Sequence, residues 1–534
     1  MKHKILCLLT ALVSIALLLA GCGGSGSEKM SASSGKDGAE FIIGNGAEPQ
    51  SLDPAKIQGV PEHRINMALF EGLVTYDPKT GNAIPGVAES WDISEDGMTY
   101  TFHLRKAVWS DGTPITAKTF VDSWLRTLAP ETGSQYAFMI NMIVKGAEDY
   151  NSGKADASAV AIKAIDDKTF EVQLTGPAPY AIDVIAHYAF NAVPLHAIEK
   201  FGADWIKPGN FVGNGAFVLE SWTPQEKVTV VPNEKYWNKE NVHLSRITFL
   251  PIEDSNTAFE KYKAGEIDWN TGIPVPRIDE VKQMPDYQVA PQLSTYYYIF
   301  NVKRGPLQDV RVRKALTMAL DREELVEKIT KGGQLATRSM VPPMAGYTPG
   351  EGAGYDPEQA KKLLAEAGYP DGKGFPVMTV IYNTLESHKL IAEYVQESWK
   401  RNLGVDIKIQ NYEWKTFLDM RNQHDFDISR AGWVGDYQDP NTFLEIFLSD
   451  SGLNDGQYSN PKYDELVRKA ANMKGGAERF QVLHDAEAVL LTEDQGMLPI
   501  YSYVSQNLID TTKWEGWYVN PQNINPYVGI KKVK

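Results

Sequence analysis

One segment of the chain collects side chains that are suited to holding a small charged ligand. It runs Arg430-Ala-Gly-Trp-Val-Gly-Asp-Tyr-Gln-Asp-Pro440 and combines one arginine, two aspartates and two large aromatic residues. A short strand is predicted just before it, at 426–430, and ligands of alternating β/α sheets bind beyond the carboxyl ends of strands. Gly432 and Gly435 allow backbone to approach a ligand closely. We interpret the segment as a candidate binding site; the alternative is a structural turn with Trp433 in the core.

The sequence contains none of the common catalytic motifs. Gly-x-Ser-x-Gly, His-Glu-x-x-His and Gly-x-x-x-x-Gly-Lys-Ser/Thr are absent, and these motifs mark serine hydrolases, zinc proteases and P-loop enzymes. The nine histidines include no pair at metal-binding spacing beside a carboxylate, so we expect no metal and no cofactor. Asp425 and Asp427 point the same way on a predicted strand, where a solvated face explains them better than a catalytic pair. We expect a binding protein; a surface peptidase that uses an acid pair is the enzymatic alternative.

Length and charge narrow the class of protein further. A chain of 534 residues is too long for one core, so two or three domains are expected. The formal net charge of -15 argues against nucleic acid as a partner. Aromatic residues are abundant, with 12 Trp and 25 Tyr, and they offer large rigid contact surfaces.

The first residues are typical of a lipoprotein signal. A basic start precedes an apolar run at 5–19, which is too short to span a bilayer. Leu19-Ala-Gly-Cys22 resembles the bacterial lipobox, in which cleavage falls before the cysteine and its thiol is then diacylated. Two acyl chains give stable anchoring. We expect a signal peptide at 1–21, lipidation of Cys22, a flexible tether at 22–40 and a location on the outer face of the cell membrane; an ordinary secretory peptide is the alternative.

Helices and strands alternate from about residue 309 onward. Strands are predicted at 377–382, 405–409 and 426–430, with helices at 386–403 and 414–421 between them. That order predicts an α/β unit with a mainly parallel sheet. Its strand ends would bring Asn383, Tyr412 and the 430–440 segment to one edge. Earlier in the chain, residues 77–90 are predicted to be a loop, and alternating patterns such as Tyr100, Phe102 and Leu104 indicate strands with one exposed face.

Several stretches resemble the oligopeptide-binding lipoproteins of ABC importers, which belong to family 5 of the extracellular solute-binding proteins. They are Arg-Ala-Gly-Trp-Val-Gly-Asp-Tyr at 430–437, Glu-Trp-Lys-Thr-Phe-Leu at 413–418, Tyr-Tyr-Tyr at 296–298, and Ala-Glu-Ser-Trp at 88–91 with Trp-Ser-Asp-Gly-Thr-Pro at 109–114. The resemblance covers roughly residues 41–530. The 88–114 region marks the wider family, which also contains dipeptide, nickel-chelate and haem binders. The 413–437 region is narrower and indicates oligopeptides.

The resemblance implies an α/β, three-lobed fold of the periplasmic-binding-protein type (type II, with an extra inserted lobe), in which two hinged lobes enclose the ligand. The expected lobe I is discontinuous, with residues 41–71, 197–287 and 505–534. Lobe II is expected at 72–196 as the insertion, and lobe III at 288–504.

The resemblance also assigns roles to residues. Asp436 falls where relatives hold the α-amino group of the peptide, and an α-ammonium (pKa roughly 7.7–8.0) sealed in a cleft needs a fixed carboxylate, because a buried unpaired charge is costly. Arg421 and His388 match positions facing the carboxylate end of peptides of different lengths. At Gln58 relatives often carry an acid, so Asp436 balances the ammonium more nearly alone. The remaining expected cavity residues are Arg430 on the cleft wall, Gly432 and Val60 for main-chain pairing with the peptide, and Asn383, Trp414, Trp433, Tyr136, Tyr501 and Tyr503 for pockets and backbone contacts.

The resemblance therefore predicts a lipid-anchored, monomeric receptor that delivers short peptides to the permease and ATPase subunits of an ABC importer. The same fold with another ligand, such as a nickel chelate, haem or a signalling peptide, is the alternative.

Overall fold

The computed structural model describes residues 38–533. Cys22, the expected signal peptide and most of the expected tether lie outside the described residues. Within the described part, no helix is both long enough and apolar enough to cross a membrane.

Strands in this part of the chain are mostly short, and two of them are long. In chain order they are β1 (Glu40–Gly44), β2 (Val74–Tyr76), β3 (Ala83–Pro85), β4 (Ala88–Ile93), β5 (Thr99–Leu104), β6 (Ala107–Val108), β7 (Pro114–Ile115), β8 (Ile162–Asp166), β9 (Thr169–Gln173), β10 (Phe217–Thr223), β11 (Lys227–Pro232), β12 (Arg246–Leu250), β13 (Trp269–Asn270), β14 (Tyr287–Phe300), β15 (Leu335–Ala336), β16 (Met378–Asn383), β17 (Ile407–Tyr412), β18 (Ile428–Val434), β19 (Met497–Ile509), β20 (Trp514–Glu515) and β21 (Lys531–Lys532).

Helices lie between these strands, and the longest follows β16. They are α1 (Val60–Leu69), α2 (Ala117–Leu128), α3 (Ala137–Ile143), α4 (Ala147–Asn151), α5 (Ala181–Ile185), α6 (Leu195–Phe201), α7 (Ser255–Lys263), α8 (Ile278–Val281), α9 (Val310–Met318), α10 (Arg322–Glu324), α11 (Pro357–Glu366), α12 (Glu386–Leu403), α13 (Trp414–Asn422), α14 (Asn441–Leu444), α15 (Pro461–Ala471) and α16 (Ala477–Ala488).

One large sheet runs through most of the molecule. Its order is β10-β11-β12-β1-β13-β19-β14-β18-β16-β17, and β15 adds to β19. The long strands β14 and β19 pair with each other and join the two ends of the sheet, because β19 also pairs with β13 while β14 also pairs with β18. Residues far apart in the sequence are thereby brought to a common wall.

The expectation of a mainly parallel sheet after residue 309 is confirmed for its three predicted strands, but it is wrong for the way β19 joins them. β16 is parallel to β17 and to β18, as the alternation of helices and strands predicts. However, β14 runs antiparallel to both β18 and β19. The parallel part is limited to strands joined through α12 and α13, because such crossovers are what parallel neighbours require.

Two local expectations also differ from the structure. The strand expected at 426–430 continues as β18 to Val434, since its pairing with β14 extends to that residue. Residues 77–90 are not all loop: β3 lies within them and pairs with β2, and β4 begins at Ala88.

A separate antiparallel sheet, β4-β5-β9-β8, lies within residues 88–173. Helix α2 packs on it as its periodicity predicts, with Phe120, Trp124 and Leu128 buried. The ring centroids of Trp124 and Phe170 are 4.9 Å apart. The lobe boundaries expected from the sequence stay predictions.

The C-terminal segment packs against the first strands of the chain. Trp514 lies edge-on to Phe41 with ring centroids 4.6 Å apart, and Tyr527 contacts Phe217 and Phe249. Residues from both ends of the chain therefore share one core.

Candidate ligand-binding site

A cavity of about 420 Å³ lies along β18, which is within the roughly 300–1,000 Å³ typical of small-ligand sites. Every cavity residue expected from the sequence lines it. These are Val60, Tyr136, Asn383, His388, Trp414, Arg421, Arg430, Gly432, Trp433, Asp436, Tyr501 and Tyr503.

Asp436 is held by its backbone while its carboxylate is left free. Its N–H donates to the Thr442 hydroxyl at 3.1 Å, and its carbonyl accepts from the Gln522 amide at 2.9 Å. The side chain is only 13% exposed, and Oδ2 has no hydrogen-bond partner among the described residues. Burial raises the pKa of this carboxyl well above its ordinary value. A cationic group of a ligand would reverse that shift, because a nearby opposite charge favours the ionised carboxylate.

The buried His187 lies beside Asp436, and His63 lies next to His187 with ring centroids 6.1 Å apart. Nδ1 of His187 accepts from the Ala189 N–H at 3.3 Å, so the proton of the neutral ring lies on Nε2, which is 3.5 Å from Asp436 Oδ1. Burial holds the pKa of His187 well below its usual range and that of His63 at about 4. Both rings are therefore neutral, and neither supplies the counter-charge that Asp436 lacks.

His187, Tyr188 and His63 were not among the residues predicted from the sequence. Their only local signal is a polar ring within apolar surroundings, as in the stretch at 185–190. Tyr188 packs on His187 with ring centroids 3.8 Å apart. A lone histidine in such a stretch is as compatible with a core position as with a site, so the sequence alone does not separate the two.

Arg430 is a half-buried cation without an anionic partner among the described residues. Its guanidinium donates to Asn383 Oδ1 at 3.2 Å and to the Tyr503 hydroxyl at 2.7 Å. It lies 5.0 Å from the centroid of the Tyr296 ring, a favourable cation–π position. Nε has no partner, and no carboxylate within residues 38–533 pairs with this side chain.

Arg421 and His388 line the same cavity, but their interactions with neighbouring residues differ. Arg421 is paired with the buried carboxylate of Asp455, to which its Nε donates at 2.7 Å. His388 is buried beside the Tyr296 hydroxyl, 3.4 Å from Nδ1, and burial together with the charge of Arg430 holds its pKa well below the usual range. Of these three side chains, Arg430 alone is a cation without a carboxylate partner in the described structure.

One edge of β18 is unpaired beside the cavity. Its pairing with β16 stops at Ser429, while its pairing with β14 continues to Val434. The backbone around Gly432 is therefore open on the cavity side. An extended ligand can add to such an edge through main-chain hydrogen bonds.

Aromatic side chains form the remaining walls. Tyr136 and Trp433 are nearly parallel, with ring centroids 6.3 Å apart. Tyr501 stacks on Tyr296 at 4.7 Å and is followed by Tyr503. These rings are rigid and make few demands on the side chains that they contact.

Trp414 joins α13 to the start of α1 across the cavity. Its indole N–H donates to Glu62 Oε1 at 3.0 Å. A Cβ on Gly59 would come within 2.6 Å of the Trp414 ring, so only glycine fits at this contact. Val60 follows at the first position of α1, and 44% of it is exposed.

Within the described residues, no cluster of three or more His, Cys, Asp or Glu side chains is arranged to hold a metal ion. Along β18 the cavity instead presents the carboxylate of Asp436, the guanidinium of Arg430 and an open strand edge between them. This set is complementary to an extended molecule with a positive and a negative end.

Comparison with known proteins agrees with this geometry. Residues 82–455 match the bacterial extracellular solute-binding proteins, family 5 Middle. The chain belongs to this family. The periplasmic oligopeptide-binding protein OppA of Escherichia coli is 41% identical to this family 5 protein over 490 residues, which are 90% of this chain and 89% of the relative.

Solved structures show that the similarity includes the fold as well as the sequence. Haemophilus influenzae OppA in complex with the peptide RPPGFSPFR matches this family 5 protein with a TM-score of 0.88 at 35% identity, covering 93% of this chain and 100% of the other. The murein tripeptide binding protein MppA of Escherichia coli matches with a TM-score of 0.89 at 39% identity, covering 93% and 99%. Its unliganded open form reaches only 0.62 at the same identity, covering 93% and 98%. This family 5 protein is therefore less similar in conformation to the unliganded open form of MppA.

Proposed function

We propose that this protein is the peptide receptor of an ABC importer, which binds short oligopeptides in the cavity along β18 and delivers them to a permease. The observation that carries the proposal is the pair of uncompensated charges, Asp436 and Arg430, on one cavity wall. A short peptide is a zwitterion with an ammonium at one end and a carboxylate at the other. It therefore supplies both missing charges at once.

The α-ammonium of the peptide binds Asp436. An ammonium is cationic near neutral pH, and removing it from water is unfavourable unless it meets an anion. His187 Nε2 lies 3.5 Å from the other carboxylate oxygen. The α-carboxylate binds Arg430, whose planar guanidinium suits a carboxylate.

The peptide backbone pairs with the open edge of β18 at Gly432. Main-chain pairing gives affinity without selecting side chains, and the aromatic walls tolerate varied ones. Asp436 and Arg430 are six positions apart, at most about 20 Å of extended chain. Their side chains reach inward over part of that distance, so peptides of three or four residues fit best.

Delivery of the peptide to the permease requires a membrane anchor on the receptor and a binding cleft that can open and close. Acylation of Cys22 would hold the monomeric receptor on the outer face of the cell membrane, near the permease and ATPase subunits. Hinged lobes would close on the peptide and open at the permease. The peptide leaves uncleaved, since the proposed role is that of a receptor and not an enzyme.

Native mass spectrometry of protein purified from its own cells tests the proposal. We expect a series of ligand masses whose fragmentation gives peptides of about three or four residues, in line with the length of the free edge. Asp436→Asn protein prepared in parallel should carry less peptide. A single ligand with the mass of a nickel chelate or haem would contradict the proposal.

A further inference from the structure

Another arginine faces the same cavity. Arg64 lies on α1, is only 7% exposed and lines the cavity. Its Nη1 donates to the Asn45 carbonyl at 3.4 Å, and its guanidinium lies 5.4 Å from the centroid of the Trp269 ring. Nε has no hydrogen-bond partner among the described residues. The side of the guanidinium formed by Nε and Nη2 is therefore free.

Among the described residues, several other arginines with little exposure are satisfied within the protein, whereas Arg322 and Arg105, which do not line the cavity, each keep one unpartnered nitrogen. Some of the satisfied arginines pair with carboxylates and others donate to several backbone carbonyls. These are Arg126 with Asp53, Arg421 with Asp455, Arg479 with Asp439, and Arg313 with the carbonyls of Leu307, Gln308, Asp494 and Gln495. Of the four arginines within residues 38–533 that have an unpartnered nitrogen, Arg64 and Arg430 are the two that line the cavity, where a bound ligand can supply the missing partner.

The acids of the cavity do not neutralise Arg64. No carboxylate within residues 38–533 lies at ion-pair distance from its guanidinium. Glu253 also lines the cavity, but it forms no ion pair with Arg64 in the described structure; burial and then the charge of Glu413 raise its pKa. Burial lowers the pKa of Arg64 to about 10, which leaves it charged at neutral pH.

The charges of a simple peptide do not balance this cavity. If the proposed function holds, the α-ammonium takes Asp436 and the α-carboxylate takes Arg430, and one cation is left over. We propose that Arg64 forms an anion subsite that binds the side-chain carboxylate of an acidic residue in the peptide. The protein then prefers short peptides containing Asp or Glu to their neutral counterparts.

A carboxylate fits this subsite better than a neutral acceptor does. The free Nε–Nη2 side of a guanidinium presents two parallel donors, which match the two oxygens of a carboxylate. A neutral amide oxygen would satisfy one donor and leave the buried charge uncompensated.

Calorimetry with substituted tri-alanine peptides tests the inference. Glu is placed at each of the three positions in turn, and each peptide is compared with its Gln counterpart. At one position we expect the Glu peptide to bind about tenfold more tightly or better, a difference of roughly 1.4 kcal/mol. At the other positions the two should bind alike.

Three variants test whether Arg64 causes the preference for Glu over Gln. Arg64→Gln should bring the Glu-to-Gln affinity ratio at the selective position close to one, while Arg64→Lys, which retains the charge, should keep part of it. Arg304→Gln is the matched control, because Arg304 is an exposed arginine outside the cavity that pairs with Asp425. It changes the net charge equally and should leave the ratio unchanged.

The outcomes separate this inference from the proposed function. If the wild-type protein binds no tri-alanine peptide at all, the peptide-receptor function itself fails. If it binds them but shows no preference for Glu at any position, the Arg64 subsite is wrong. If the effect of Arg64→Gln follows amidation of the peptide C-terminus and not the Glu side chain, the subsite takes the α-carboxylate and the side-chain assignment is overturned.

Discussion

Asp436 and Arg430 lack an oppositely charged partner within the described protein. This makes both side chains suited to binding a charged group of a ligand. A buried ion without a counter-ion destabilises the state that buries it. Fixed backbone contacts from Thr442 and Gln522 keep Asp436 in place despite this. The interaction missing from the protein is the one that a charged ligand end supplies.

Arg430 is predicted to bind the α-carboxylate of a short peptide. Tri-alanine should bind the wild-type protein about 2–5 kcal/mol more tightly than tri-alanine amide, the range for losing one member of a buried charge pair. Arg430→Gln should remove most of that difference. Isothermal titration of both peptides against both proteins measures it.

Arg421 provides the comparison for this prediction. Its guanidinium is already engaged by Asp455, so Arg421→Gln should weaken the binding of acid and amide alike and keep the gap between them. The assignment to Arg430 fails if Arg421→Gln closes the gap and Arg430→Gln does not.

At the scale of elements, α1 and α13 meet through Glu62 and Trp414. Glu62 is 1% exposed, and its Oε1 accepts from the Gln50 N–H at 2.7 Å and the Trp414 indole at 3.0 Å. Burial raises its pKa from an ordinary 4.5 to about 6. Ionising it in this position destabilises the folded form by about 2 kcal/mol.

This contact makes stability depend on pH in a defined direction. A carboxyl whose pKa is raised on folding stabilises the protein fully below its unfolded value, near 4.5, and that contribution is lost as pH rises through about 6. Glu62→Gln should therefore match the wild type at pH 4 and exceed it by up to about 2 kcal/mol at pH 7.5. Thermal unfolding with saturating tri-alanine, which holds the closed form, measures the difference.

Glu465→Gln serves as the control, because Glu465 is an exposed residue of α15. Its effect should stay within about 0.5 kcal/mol at both pH values. A Glu62→Gln protein that gains nothing between pH 4 and 7.5 would show that the carboxyl is solvated in solution.

Local patterns in the sequence predict elements better than they predict pairings. The apolar face of α2 and the ends of β16 and β17 follow from periodicity, so Asn383 and Tyr412 do meet at one edge. The antiparallel placement of β14 and β19 does not follow, because it depends on contacts over some 200 positions. The extension of β18 to Val434 has the same origin.

In the candidate site too, local features could be predicted from the sequence and long-range contacts could not. Asp436, Arg430 and the aromatic residues could be predicted because they share one segment or match known positions. The engagement of Arg421 by Asp455 and the placing of His187 behind Asp436 could not be, since each joins distant parts of the chain. Whether Arg421 or Arg430 lacks a carboxylate partner therefore depends on the tertiary structure and not on the local sequence.

For the whole molecule, the uncompensated charges link binding to closure. In a closed empty cleft Asp436 and Arg430 are both buried without counter-ions, whereas an open cleft returns them to water. We expect a zwitterionic peptide to stabilise the closed form by supplying both charges, which is the differential affinity that a conformational change requires. The TM-score is 0.62 to the unliganded open form of MppA and 0.89 to the other MppA structure.

Calorimetry of one peptide in two forms tests the central claim, that Asp436 binds the α-ammonium in the closed cavity. Tri-alanine should bind the wild-type protein about 2–5 kcal/mol more tightly than N-acetyl-tri-alanine, and Asp436→Asn should abolish most of that gap. Equal affinities of the wild-type protein for the free and acetylated peptides would contradict the account.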